Sequence, residues 1–128
     1  MGRMISLGEP SSEMEENWRF TLAAQKEMTG LLQPGADPGA IHAAYNRFLQ
    51  SNGYQTEDSL FAYGQGYDFI ERPSIQPGET MKISRGMCLA VHTSTVTVKR
   101  ASYCSDSFLI TAHGPERLHK TAREIIIA

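Results

Sequence analysis

The chain has 128 residues, the size of one domain with a core of its own. Its 41% hydrophobic and 20% charged residues suit a folded protein and exclude a disordered one. A formal charge of -2 provides no basic field for nucleic acid.

No apolar run approaches the roughly 20 residues that cross a bilayer, and no charged segment leads into a signal-peptide core. A cytoplasmic protein with neither nucleic-acid nor membrane partners is expected. Cys88 and Cys104 are the only cysteines and form no CxxC pair. Both fall in expected strands, where buried free thiols are the simplest outcome.

The first helix starts at Ser12, with Glu15 three positions on completing a capping box. Met14, Trp18, Leu22, Met28 and Leu32 form its apolar stripe, and Pro34-Gly35 stops it. Asp37-Pro38 marks a second start, an N-cap followed by proline at the first helical position. Ile41, Ala44, Tyr45, Phe48 and Leu49 keep helical spacing up to Asn52-Gly53, which supplies a left-handed stop. The short turn between the two helices makes them packing neighbours.

Beyond Gly53 the helical period disappears. Phe61–Tyr63 and Met81–Ile83 are short strand candidates, and Met87–Val98 and Ser102–Thr111 longer ones joined as a hairpin at 99–101. Ala112-His113-Gly114-Pro115 is a turn, and Ile125-Ile126-Ile127 a final strand docking on the sheet. The Gly64-Gln65-Gly66 run is not followed by a helix, so it reads as a strained turn and not as a phosphate cradle. Glu71 and Arg72, adjacent and opposite in charge, read as a solvated loop.

Taken in order, these segments resemble the pita-bread family of creatinases, prolidases and Xaa-Pro aminopeptidases. The matching residues are Leu7-Gly8-Glu9-Pro10-Ser11, Leu32-Gln33-Pro34-Gly35-Ala36, Gly53-Tyr54, Tyr63-Gly64-Gln65-Gly66 and Glu71-Arg72-Pro73. Ile83-Ser84-Arg85-Gly86-Met87, the run Ser105-Asp106-Ser107-Phe108-Leu109-Ile110-Thr111 and Gly114-Pro115-Glu116-Arg117-Leu118 extend the match across nearly the whole chain. The resemblance is to the C-terminal half of that fold. It implies an α+β domain over residues 1–128, with two N-terminal helices packed on a curved, mainly antiparallel sheet.

The resemblance also implies a metal pair (Mn, Co, Zn or Fe in a full-length relative) held by carboxylates and a histidine. Here the expected ligands are replaced. Tyr67 stands where a histidine follows the glycines, Ile70 where a substrate-contacting histidine precedes Glu71, His92 for one strand glutamate and Ser105 for the other. A dication pair needs several carboxylates to offset its charge, so no metal ligand and no cofactor is expected in this chain alone.

Tyr67, His92 and Asp106 are the expected lining of a relict cleft, with Asp106 hydrogen-bonded to Tyr67 or His92. His92, Asp106 and Glu71 are the catalytic candidates if chemistry remains. The expected function is a degenerate family member acting in binding or assembly. Two alternatives stand beside it: part of an Xaa-Pro-type metallopeptidase lacking its N-terminal half, and a metal-independent lyase or hydrolase using His92. A homo-oligomer or a longer polypeptide is the expected partner, since the missing half leaves a sheet edge and face uncovered.

Overall fold

The computed structural model describes residues Met1–Ala128. In chain order the elements are β1 (Ile5–Ser6), α1 (Ser12–Gly30), α2 (Pro38–Ser51), β2 (Ala62–Gln65), β3 (Glu71–Ser74), β4 (Cys88–Val96), β5 (Ala101–Thr111), β6 (Gly114–Arg117) and β7 (Ile126–Ile127). Five strands form one antiparallel sheet in the order β3-β2-β4-β5-β6. Both helices lie on one face, so the architecture is the expected α+β arrangement of two helices on a mainly antiparallel sheet.

The cap of α1 is Ser11 rather than Ser12: its Oγ accepts from the Met14 amide at 3.2 Å. Glu15 therefore sits one position too far along for a capping box, and acts through its charge in the first turn. The buried face of α1 includes Trp18 and Met28, as the spacing predicts, and Leu32 is buried just past the helix end, while Met14 and Leu22 are only half-buried. It also buries Asn17, Thr21, Gln25 and Thr29, polar residues that an apolar-stripe reading overlooks. They meet a matching polar seam on the sheet: Thr21 pairs with Thr95, Thr95 Oγ1 donates to Asn17 Oδ1 at 3.3 Å, and Gln25 Nε2 donates to the Cys104 carbonyl at 3.4 Å.

Helix α2 has the predicted Asp37 cap, whose carboxylate accepts from the Ala40 amide at 2.9 Å. Gly53, at φ +79°, takes the left-handed position after its end. The helices pack as neighbours, with Phe20 of α1 stacked on Phe48 of α2 at 5.8 Å and on Tyr54 at 3.8 Å. Ile41, Tyr45 and Leu49 join Met28, Leu32, Phe61, Leu89, Val91, Phe108 and Ile110 in one apolar core.

Several short elements depart from the expectation. Met81–Ile83 is not a strand; buried Ile83 instead exchanges backbone hydrogen bonds with the α1–α2 turn, at 2.7 Å from the Gly35 amide and 3.1 Å to the Ala36 carbonyl. Glu71–Ser74 is a strand rather than a loop, and Gly114–Arg117 turns back beside β5. The C-terminal isoleucines do not dock on the main sheet: Ile126 and Ile127 pair in parallel with Ile5 and Ser6 in a separate two-stranded sheet. The long hairpin forms, but its connection is 97–100 and not 99–101, with Val96 facing Ala101 across it.

Gly64 and Gly66 are not in a strained turn, because neither has positive φ. They are needed for close approach. A Cβ on Gly64 would lie 2.6 Å from the Arg72 carbonyl oxygen, where a bulge between Tyr63 and Gly64 draws β2 against β3.

Candidate functional site

Alternation along β4 places Leu89 and Val91 against the helices and Cys88, Ala90 and His92 on the other, open face. Register then decides which side chains share that face. His92 lies opposite Ser105, Ala90 opposite Ser107, and Cys88 opposite both Leu109 and Gln65. Ser107 Oγ donates to Gln65 Oε1 at 3.0 Å. Gln65 of the glycine segment thus shares the open face with His92 and Ser105, beside Cys88 and Ser107. Tyr67, fully exposed in the loop after β2, does not.

Asp106 is opposite Val91, one residue out of phase with His92, and therefore points to the helix side. Its carboxylate is fully buried and accepts from Arg3 Nη2 at 2.8 Å and Arg123 Nε at 3.2 Å, with Arg117 Nη1 at 3.7 Å. The expected hydrogen bond from Asp106 to Tyr67 or His92 is absent; arginines from both chain ends take its place. Glu71 is directed at its own loop and accepts from the Asp68 amide at 2.6 Å. Arg72, on the adjacent strand position, pairs with Glu79. Of the expected cleft residues, then, only His92 lies in a cleft. Cys104 is buried and Cys88 half-buried, both free; burial raises both thiol pKa values.

That cleft, of about 390 Å³, is lined by Glu57, Ser59, Leu60, Phe61, Tyr63, Ile70, His92, Ser94 and Tyr103. His92 bridges two phenols: its Nε2 is 2.9 Å from Tyr63 Oη and its Nδ1 is 2.5 Å from Tyr103 Oη. The three rings are nearly stacked, with centroids 5.2 Å and 6.0 Å apart. Partial burial lowers the His92 pKa from 6.5, and the amino-terminal charge lowers it further, so the imidazole is neutral near pH 7. A neutral ring donates to one phenol and accepts from the other, which is what two flanking hydroxyls satisfy.

Glu57 closes the cleft on the side of Ser94. Asn46 of α2 pins its backbone, Oδ1 accepting from the Glu57 amide at 2.8 Å and Nδ2 donating to the Glu57 carbonyl at 3.2 Å. Its carboxylate accepts from the Ser59 amide at 3.1 Å and from the hydroxyls of Ser59 and Ser94. Glu57 and Tyr103 lie in no recognisable motif. Only the period-2 alternation of β5, which sets Tyr103 beside Ser94 and near His92, could have pointed to the tyrosine.

The donor set of the open face can be compared with a divalent-metal pair. Gln65, His92, Ser105 and Ser107 supply an amide, an imidazole and hydroxyls. Asp106 is turned away and neutralised by arginine, and no three His, Cys, Asp or Glu side chains converge on one point. Glu57 is the one carboxylate lining the adjoining cleft, too few to offset two dications, so the residues of this chain do not fit such a centre.

The sheet, helices and glycine-bulged strand together define one half of a pita-bread domain. X-Pro aminopeptidase from Thermotoga maritima superposes with a TM-score of 0.86 at 22% identity, over 98% of this chain and 36% of that one. The prolidase from Pyrococcus horikoshii gives 0.80 at 26% identity, over 97% and 36%. The chain belongs to metallopeptidase family M24, whose sequence profile matches residues 1–124. It is 27% identical over 127 residues to the Xaa-Pro dipeptidase of Pyrococcus furiosus, and 25% over 126 residues to that of P. horikoshii. Each alignment takes in 97% of this chain, which spans 36% of either relative's length. No helix is long and apolar enough to cross a membrane.

Proposed function

We propose that this chain is a single domain of the family that acts in binding or assembly and not in metal-dependent hydrolysis. The observation that carries the reading is the open face itself, where Gln65, His92 and Ser105 bring no carboxylate and Glu57 is the one carboxylate lining the adjoining cleft, too little to offset a dication pair. Beside it the Tyr63–His92–Tyr103 chain and the anchored Glu57 form an ordered cleft. Tyr67 and Phe69 beyond the rim are largely exposed, and β3 is an unpaired edge, so a covering partner is part of the proposal: a second copy, or further polypeptide.

The test is metal analysis after equilibration with Mn, Co, Zn or Fe(II), together with an Xaa-Pro dipeptide hydrolysis assay. Substoichiometric metal and no hydrolysis are expected; one or two tightly held ions per chain would overturn the reading. A monodisperse monomer in light scattering would eliminate the second copy as partner.

The 36% share of the curated relatives favours a second reading, in which the chain is one part of an Xaa-Pro-type metallopeptidase and the rest supplies the carboxylates. Metal uptake that appears only when the remaining polypeptide is supplied would establish it. A metal-independent lyase or hydrolase based on His92 would need orientation from the two tyrosines, because Asp106 faces the opposite side of the sheet.

A further inference from the structure

The polar atoms of the cleft are already committed to one another, and the pattern of commitment selects a ligand class. Ser59 and Ser94 spend their hydroxyl protons on Glu57. Tyr63 and Tyr103 share theirs with His92, so only the phenol that accepts from the imidazole keeps a free O–H. No lysine or arginine lines the cleft, and the one positive charge acting on His92, the amino terminus, is not among the lining residues. An anion would find one neutral donor and a carboxylate opposing it.

A cation finds the reverse. Glu57 belongs to none of the ion pairs of the chain. The carboxylate is held in place by three hydrogen bonds, and Oε2, which accepts only from Ser94, has a lone pair to spare. Ser94 sits opposite Tyr103 in the hairpin and two residues from His92 on the same face. The fixed negative charge therefore lies beside Ser94 at the Tyr103 end of the Tyr63–His92–Tyr103 row of rings, with Phe61, Leu60 and Ile70 supplying an apolar wall. Ring faces and a carboxylate attract an organic cation by the same sign of field.

We propose that this cleft binds an organic ammonium group, with Glu57 as its counter-charge and Tyr63, His92 and Tyr103 as its aromatic wall. The proposal rests on reading the cleft as a binding site. The ammonium could be a free alkylamine or the amino terminus of a peptide, and the two are chemically equivalent at the carboxylate.

The test is a ¹⁵N-NMR titration of the intact chain with n-butylammonium, n-pentanol and butyrate. Butylammonium should shift Ser94, Tyr103 and Glu57 resonances and bind about tenfold more tightly than the alcohol. Glu57→Gln should remove that preference while leaving the remaining spectrum in place. A tripeptide with a free amino terminus is compared with its acetylated form: a preference for the free form over butylammonium identifies peptide termini as the source, and the reverse identifies small amines. Equal binding of pentanol and butylammonium would overturn the cation proposal and leave the cleft as a binding site. Failure of every probe to shift the cleft resonances would overturn the binding reading too. If Glu57→Gln unfolds, Ser94→Ala, which frees the carboxylate without removing its charge, must retain the ammonium preference.

Discussion

Replacing Asp106 by asparagine should be among the most destabilising single changes in this chain. The carboxylate is 0% exposed and Arg3 is 3% exposed, so neither partner recovers water when the other is altered. Arg117 and Arg123 remain 28% exposed and can rehydrate. The cost is therefore set mainly by Arg3, left as a buried cation without its counter-charge. Breaking a buried pair in this way costs about 3–5 kcal/mol. The side chain of Arg3 also donates to the carbonyls of Gly2, Ser105, Thr121 and Ala122, tying both termini to β5. Asp106→Asn should loosen both at once.

The assay is urea unfolding followed by Trp18, the sole tryptophan, buried at 5% exposure on α1. Because a domain of ordinary stability has only about 5–15 kcal/mol in total, the midpoint should fall steeply. The double variant Asp106→Asn/Arg3→Met should lose less than the two single losses combined, since the second change removes the orphaned charge. A loss below about 1 kcal/mol for Asp106→Asn, the level of a surface ion pair, would refute the reasoning.

Two further outcomes follow from the β2–β3 region. Gly64→Ala places a methyl 2.6 Å from the Arg72 carbonyl, and since backbone faces backbone the strands must part. A loss of about 2–3 kcal/mol in thermal unfolding is expected, and stability unchanged from the parent would contradict the close-approach account. Glu79 accepts from Arg72 and from the Ser74 and Met81 amides, and these bonds hold its pKa at about 2 instead of 4.5. A lowered carboxyl pKa stabilises the fold above 4.5, and that contribution is lost as pH falls from there through about 2. Glu79→Gln should thus flatten the dependence of urea stability on pH across that window; an unaltered slope would show that Glu79 is not its source.

Much of the fold was legible because its signals are local. The Asp37-Pro38 start, the Gly53 stop and the alternation of Cys88 to Val96 each depend on residues within a turn or a strand of one another. The failures share a cause as well. Asn17, Thr21 and Gln25 look solvent-facing on a helix until a sheet with Thr95 and Cys104 lies against them. Ile83 looks like a strand residue until the α1–α2 turn offers it backbone partners.

The order of motifs in the sequence was enough to determine the family and the half of its fold, and alternation alone put His92 on the face opposite Leu89 and Val91. Only the tertiary structure decided what His92 meets. Register placed Asp106 on the far side with three arginines, put Gln65 rather than Tyr67 on the His92 face, and brought Tyr63 and Tyr103 to the imidazole, while Asn46 of α2 set Glu57 beside Ser94. Residues 63, 92 and 103 become neighbours through strand pairing, which depends on a register shared between distant segments. No local pattern encodes that register, and a shift by one residue would exchange the two faces.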